Sequence, residues 1–187
     1  MNLRKWNVIM KRILLCIKIK LYEKFLHKDA MMLRIKRYRM DGANIGTNVR
    51  AFSPISSGEP YLISIGDNVT ISIGVSFCTH DNSAIKVFSE GTDFVGPINI
   101  GDNCFIGMNS ILLGGISIAS NCIVGAGSVV TKSFEQEGLV IAGNPARVIG
   151  SVEKIRNKEN KVFDFRGMNS IQKCNLIMNN TDKWLKK

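Results

Sequence analysis

Few side chains in this chain could do chemistry. Its 187 residues include two histidines, His27 and His80, and five cysteines, Cys16, Cys78, Cys104, Cys122 and Cys174. An imidazole titrates near neutrality, so a positioned histidine can take a proton from a hydroxyl or amine as that group attacks. His80 stands in Cys78-Thr79-His80-Asp81, and the rest of the chain offers only His27, inside a basic N-terminal segment where a structural role fits better. Two histidines cannot supply a three-histidine zinc site from one chain, and no metal centre is expected. The odd cysteine count without a CxxC pair argues against a disulfide framework and a zinc ribbon, and fits a reducing cytoplasm. Cys104 and Cys122 read as small core residues. Cys78 lies two residues before His80, on the same side of an extended strand, so a thiol role is tested by whether Cys78→Ser stays active. Asp81, Glu90 and Asp93 accompany His80; each reads as a solvated loop carboxylate and none is assigned a role.

The elements that must hold His80 follow from a repeat. From Ile100 the chain divides into sixes that begin Ile100, Ile106, Leu112, Ile118, Val124 and Val130, mostly with Gly or Ala next. The same pattern runs through Ile65, Ile71 and Phe77, with an earlier fragment at Ile45. Alternating side chains in a short strand turn one branched residue inward per repeat, and Gly or Asn at the turns tolerates positive φ. Three such sides make a coil of 18 residues, so Ile100 should stack on Ile118, Cys104 on Cys122, Ile106 on Val124, Ser110 on Ser128 and Leu112 on Val130. Ile65 and Ile100 are 35 residues apart rather than 36, so the register breaks, and residues 81–97 read as a loop pushed out of the repeat directly after His80.

Charge divides the chain further. Residues 1–40 hold 12 Lys or Arg against Glu23 and Asp29, whereas residues 41–187 hold 13 basic and 13 acidic residues. The whole net charge of +10 therefore sits in the first segment. That segment has no Gly or Pro and reads as one or two amphipathic helices capping the open end of the solenoid. Three regions result: a basic helical segment (1–41), a hexapeptide-repeat β-helix with its loop (42–150) and a helical or irregular C-terminal extension (151–187). No apolar run approaches the ~20 residues of a spanning helix, and Ile13–Ile17 is too short for a secretory signal, so a cytoplasmic protein is expected. A basic amphipathic stretch with Trp6 also fits peripheral contact with anionic lipid. Nucleic-acid binding is not indicated, since no recognised motif accompanies the charge.

The two repeat blocks, with Ala-Gly-Asn-Pro-Ala-Arg-Val-Ile at 142–149, resemble the hexapeptide-repeat acyltransferases, in particular the maltose, galactoside and capsular-polysaccharide O-acetyltransferases. The resemblance spans roughly residues 42–150. It implies a left-handed parallel β-helix, a homotrimer with active sites between subunits, acetyl-CoA as cosubstrate, no permanently bound cofactor, and a saccharide acceptor. Thr79-His80-Asp81 followed by Pro97-Ile98-Asn99-Ile100-Gly101 matches the family's layout and makes His80 the implied general base. The resemblance also implies that Gly107, Met108 and Ala126 meet the pantetheine arm, and that Thr131, Lys132 and Arg147 lie toward the nucleotide end. Met108 stands where the family often has a small residue, and Gly150 where a second basic residue often follows. N-acetylation of a nucleotide-linked amino sugar, or a non-catalytic β-helix that binds or scaffolds, are the competing readings.

Overall fold

The computed structural model describes residues 3–25, 30–55 and 57–185; His27 lies outside them. Short strands fall on the aliphatic positions of the hexads and stack in parallel on three faces, and a six-residue strand, 146–151, ends the second face after the two-residue turn Asn144-Pro145. The first face holds residues 44–45, 63–65, 98–100 and 116–118. The second holds 50–51, 70–71, 105–106, 123–124, 139–143 and 146–151. The third holds 76–78, 111–113 and 129–130. Ile118 pairs with Ile100, Val124 with Ile106 and Val130 with Leu112, the 18-residue register of a triangular coil. One coil earlier, Ile100 pairs with Ile65, Ile106 with Ile71 and Leu112 with Phe77, each 35 residues apart. The inserted segment is thus looped out at the corner between third and first faces, and pairing resumes behind it. The first coil is irregular too, since Ile45 pairs with Ile65, 20 residues on.

The interior is a set of aliphatic columns. Ile71, Ile106, Val124 and Ile141 form one of them and are fully buried. Ile106→Ala would leave a cavity that stacked neighbours on both sides hold open, and should cost about 2–5 kcal/mol by denaturant unfolding.

The turns assign different work to Asn and Gly than their shared tolerance of positive φ suggests. Asn48, Asn68, Asn103 and Asn121 take left-handed φ of 52–61° at one corner. Their amides pair along the stack, Asn48 Nδ2 donating to Asn68 Oδ1 at 2.6 Å and Asn103 Nδ2 to Asn121 Oδ1 at 3.3 Å. The glycine after each aliphatic serves close approach instead. A Cβ on Gly101 or Gly107 would lie 2.6 Å from the backbone nitrogen of Ser120 or Ala126 in the next coil, and neither glycine has positive φ. Gly127, by contrast, takes a positive φ of 68°.

Helices α1 (Leu3–Lys24) and α2 (Met31–Met40) precede the coils. Ile35 and Tyr38 of α2 join the solenoid core and close its N-terminal end. Leu15 and Ile19 of α1 pack with Ala30, against Tyr22, Leu33 and Met40. Arg12 pairs with Asp41 at 2.6 Å, and Arg34 with Glu23. Residues 151–187 form a separate compact unit. In it Phe163 and Phe165 stack at 5.7 Å, and the helix Ser170–Met178 begins with a capping box between Asn169 and Gln172.

Candidate active site

His80 sits where the third-face strand Ser76–Cys78 leaves the coil. It opens a two-residue antiparallel ladder, His80 opposite Val95 and Asp81 opposite Phe94. A short 3₁₀ turn, Asn82–Lys86, follows, capped by the Asp81 carboxylate, which accepts from Ser83 N at 2.9 Å. The expelled segment is therefore an ordered hairpin that fixes His80 at its base.

The imidazole has a specific partner. His80 Nδ1 lies 2.8 Å from Glu59 Oε2, which also accepts from the Thr79 hydroxyl at 2.7 Å. Thr79 is 1% exposed, so that hydroxyl is a fixed anchor. A carboxylate can only accept, so Nδ1 carries the proton and Nε2 keeps its lone pair. The hydrogen bond that His80 donates to Glu59, and then the Glu59 charge, push the His80 pKa up. Hydrogen bonds from Thr79 and His80 hold Glu59 below the usual carboxylate range. The His80 side chain remains 44% exposed, so the ring is oriented yet open to a reactant.

Glu59 is not among the carboxylates near His80 in the sequence (Asp81, Glu90 and Asp93), none of which is assigned a role. Asp81 serves as a cap instead, and Asp93 accepts from Asn82 Nδ2 at 3.2 Å. The 20-residue offset of the first coil, visible only once it closes, pairs residue 59 with residue 79. Gly58 completes the packing, since a Cβ there would lie 3.3 Å from His80 Cε1 and 3.4 Å from Nδ1. Gly58→Ala should displace the ring by a few tenths of an ångström and lower kcat up to about 10-fold without unfolding the chain, read from steady-state rates beside a melting curve.

His80 lines a cleft of about 600 Å³ with Cys78, Thr79, Phe94, Val95 and the Leu113-Gly114-Gly115 corner of the next coil. Cys78 thus shares the cleft with the imidazole. Burial pushes the Cys104 thiol up to about 11 and raises Cys122 as well, as core packing of these thiols demands.

The remaining residues singled out from the sequence fall in two groups. Thr131 and Lys132 follow the strand Val129–Val130 and lie along the same corner of the prism as His80 and Gly114. Lys132 Nζ sits 5.7 Å over the Phe134 ring. Gly107, Met108 and Ala126 line a different corner, between second and third faces, where Gly127 N donates to Met108 O at 2.8 Å. Arg147 is exposed on the second face, in the strand Ala146–Ser151, its Nη1 donating to Ala146 O at 2.9 Å. A single chain therefore brings His80, Thr131 and Lys132 to one corner and keeps Gly107, Met108 and Ala126 on another.

Parallel coils of hexads, a helical cap and a histidine at the root of an expelled loop define the left-handed β-helix class of hexapeptide proteins. The family model described as "Hexapeptide repeat of succinyl-transferase" matches residues 97–132. Protein CapG of Staphylococcus aureus is 43% identical over 145 residues, covering 74% of this chain and 81% of CapG. A maltose O-acetyltransferase from Clostridium difficile 630 superposes with a TM-score of 0.53 at 27% identity, covering 77% of this chain and 87% of the other. A galactoside acetyltransferase solved in complex with coenzyme A shares the fold, with a TM-score of 0.56 at 24% identity over 87% of this chain and 88% of its own. The chain belongs to the hexapeptide-repeat acyltransferase family and is an acetyltransferase.

Proposed function

We propose that the chain moves an acetyl group from acetyl-CoA to a hydroxyl of a saccharide, in the assembly of a surface polysaccharide or oligosaccharide, with His80 as general base. The observation that carries the base assignment is the Glu59–His80 pair at the open cleft. His80 Nε2 takes the hydroxyl proton as the oxygen attacks the thioester carbonyl. The new O–C bond forms, the tetrahedral intermediate collapses with loss of the C–S bond, and the proton passes from His80 to the departing thiolate. The thioester is already activated, so no covalent enzyme intermediate is required. Likeness to the maltose enzyme supports the sugar acceptor.

CoA would run along the coils, with its pantetheine arm against Gly107, Met108 and Ala126 and its phosphates near Thr131, Lys132 and Arg147. Gly107, Met108 and Ala126 occupy one corner of the chain, Thr131 and Lys132 another, and Arg147 the second face. That division supports a homotrimer in which a second subunit brings its own corner to the cleft. Arg147→Glu should raise the KM for acetyl-CoA about 10-fold with little change in kcat, the size of a lost charge-assisted contact on an exposed surface. The decisive assay follows thiol release from acetyl-CoA against a panel of sugars and nucleotide sugars. Acetylation of an amino sugar's nitrogen alone would overturn the hydroxyl reading.

A further inference from the structure

Helix α1 has two apolar faces, and the structure uses one. Leu15, Ile19 and Tyr22 pack toward α2. On the opposite side Trp6, Met10, Ile13, Ile17 and Leu21 recur at three- and four-residue spacing and are each 42–58% exposed. A surface helix needs one apolar stripe, so a second continuous stripe implies a second apolar surface to meet it. Exposed Lys11 and Lys18 flank this row on one side and Lys20 on the other.

We infer that α1 lies in the headgroup layer of an anionic lipid bilayer, its Trp6–Leu21 row inserted and its lysines on the phosphates. Charge decides between the occupants. Residues 1–40 carry 12 basic and two acidic residues, while the remaining chain is balanced. A second copy of α1 would bring two basic rims together, whereas an anionic bilayer satisfies both the row and its rim. The helix lies along the surface rather than across it, since no helix among the described residues is long and apolar enough to span a membrane. This placement is independent of what the cleft acetylates.

The test uses the full chain with vesicles of mixed phosphatidylglycerol and phosphatidylcholine, and with pure phosphatidylcholine vesicles as control. The chain sediments with the anionic vesicles at about 0.1 M salt. It is released near 1 M, where the screening length has fallen from about 10 Å to about 3 Å. With Trp184→Phe leaving Trp6 as the one tryptophan, its emission shifts to the blue on binding. Ile13→Gln with Ile17→Gln keeps good helix formers but removes the centre of the row. Bound protein should fall at least about 10-fold, with the thermal midpoint and acetyl transfer to a soluble acceptor unchanged. Absence of binding to anionic vesicles overturns the inference. So does a change in subunit number caused by the double variant in vesicle-free solution, which would make the row an interface between copies.

Discussion

His80→Ala is expected to transfer acetyl groups about 10²–10⁴-fold more slowly than the parent chain, the range that a positioned general base contributes. The loss should fall on kcat, because the imidazole acts on a proton that moves only as the hydroxyl attacks. Stability should hardly change. His80 projects from the root of a hairpin, outside the aliphatic columns that hold the coils together. The measurement is thiol release under saturating acetyl-CoA, paired with thermal unfolding of both proteins. A variant that folds and transfers at the parent rate would remove His80 from the mechanism and return attention to Cys78 in the same cleft.

The second large effect is expected at Glu59. Glu59→Gln keeps the shape of the side chain but removes the charge that holds the Nδ1 proton. It should lower kcat about 10- to 100-fold, less than the ~10⁴-fold lost where a fully buried carboxylate orients a catalytic histidine. The pH profile separates this role from simple packing. His80 works as a base only when neutral, so activity rises with pH through its pKa. Glu59 raises that pKa by accepting a hydrogen bond and by its charge. Removing the charge must therefore move the acid limb of the kcat profile to lower pH. A rate loss with the limb unmoved would mean that Glu59 only props the loop. The two variants also interact: once His80 is Ala, Glu59→Gln should cost nearly nothing further, since both remove one unit.

Both residues lie where the solenoid departs from its own period. The 20-residue first coil carries Glu59 up to Thr79, and the 35-residue interval expels the hairpin that holds His80. The regular coils after Ile100 supply the rigid wall behind them. A perfect run of 18-residue coils would have neither the expelled hairpin that carries His80 nor the longer first coil that carries Glu59.

The solenoid was legible in the chain because its cause is local. An aliphatic residue every sixth position, mostly followed by a residue small enough for the next coil to pass closely over it, is a constraint each repeat obeys by itself. The three-face register, the expelled loop and the helical cap all follow from counting. His80 was legible because it was scarce and stood beside the break. Its partner was not. Glu59 sits in a segment without hexads, and nothing in Gly58-Glu59-Pro60 marks it apart from Glu90 or Asp93. Only coil closure, with an offset no repeat rule predicts, brings its carboxylate within 2.8 Å of the imidazole. The same holds for α1, where the sequence shows an amphipathic basic helix but not which side is left over. Packing against α2 consumed Leu15 and Ile19 and left Trp6, Ile13 and Ile17 facing out. Periodicity is written along the chain, one neighbour at a time. Pairings between elements at irregular offsets are settled by three-dimensional contact, where a single carboxylate or a single helix face finds what lies opposite.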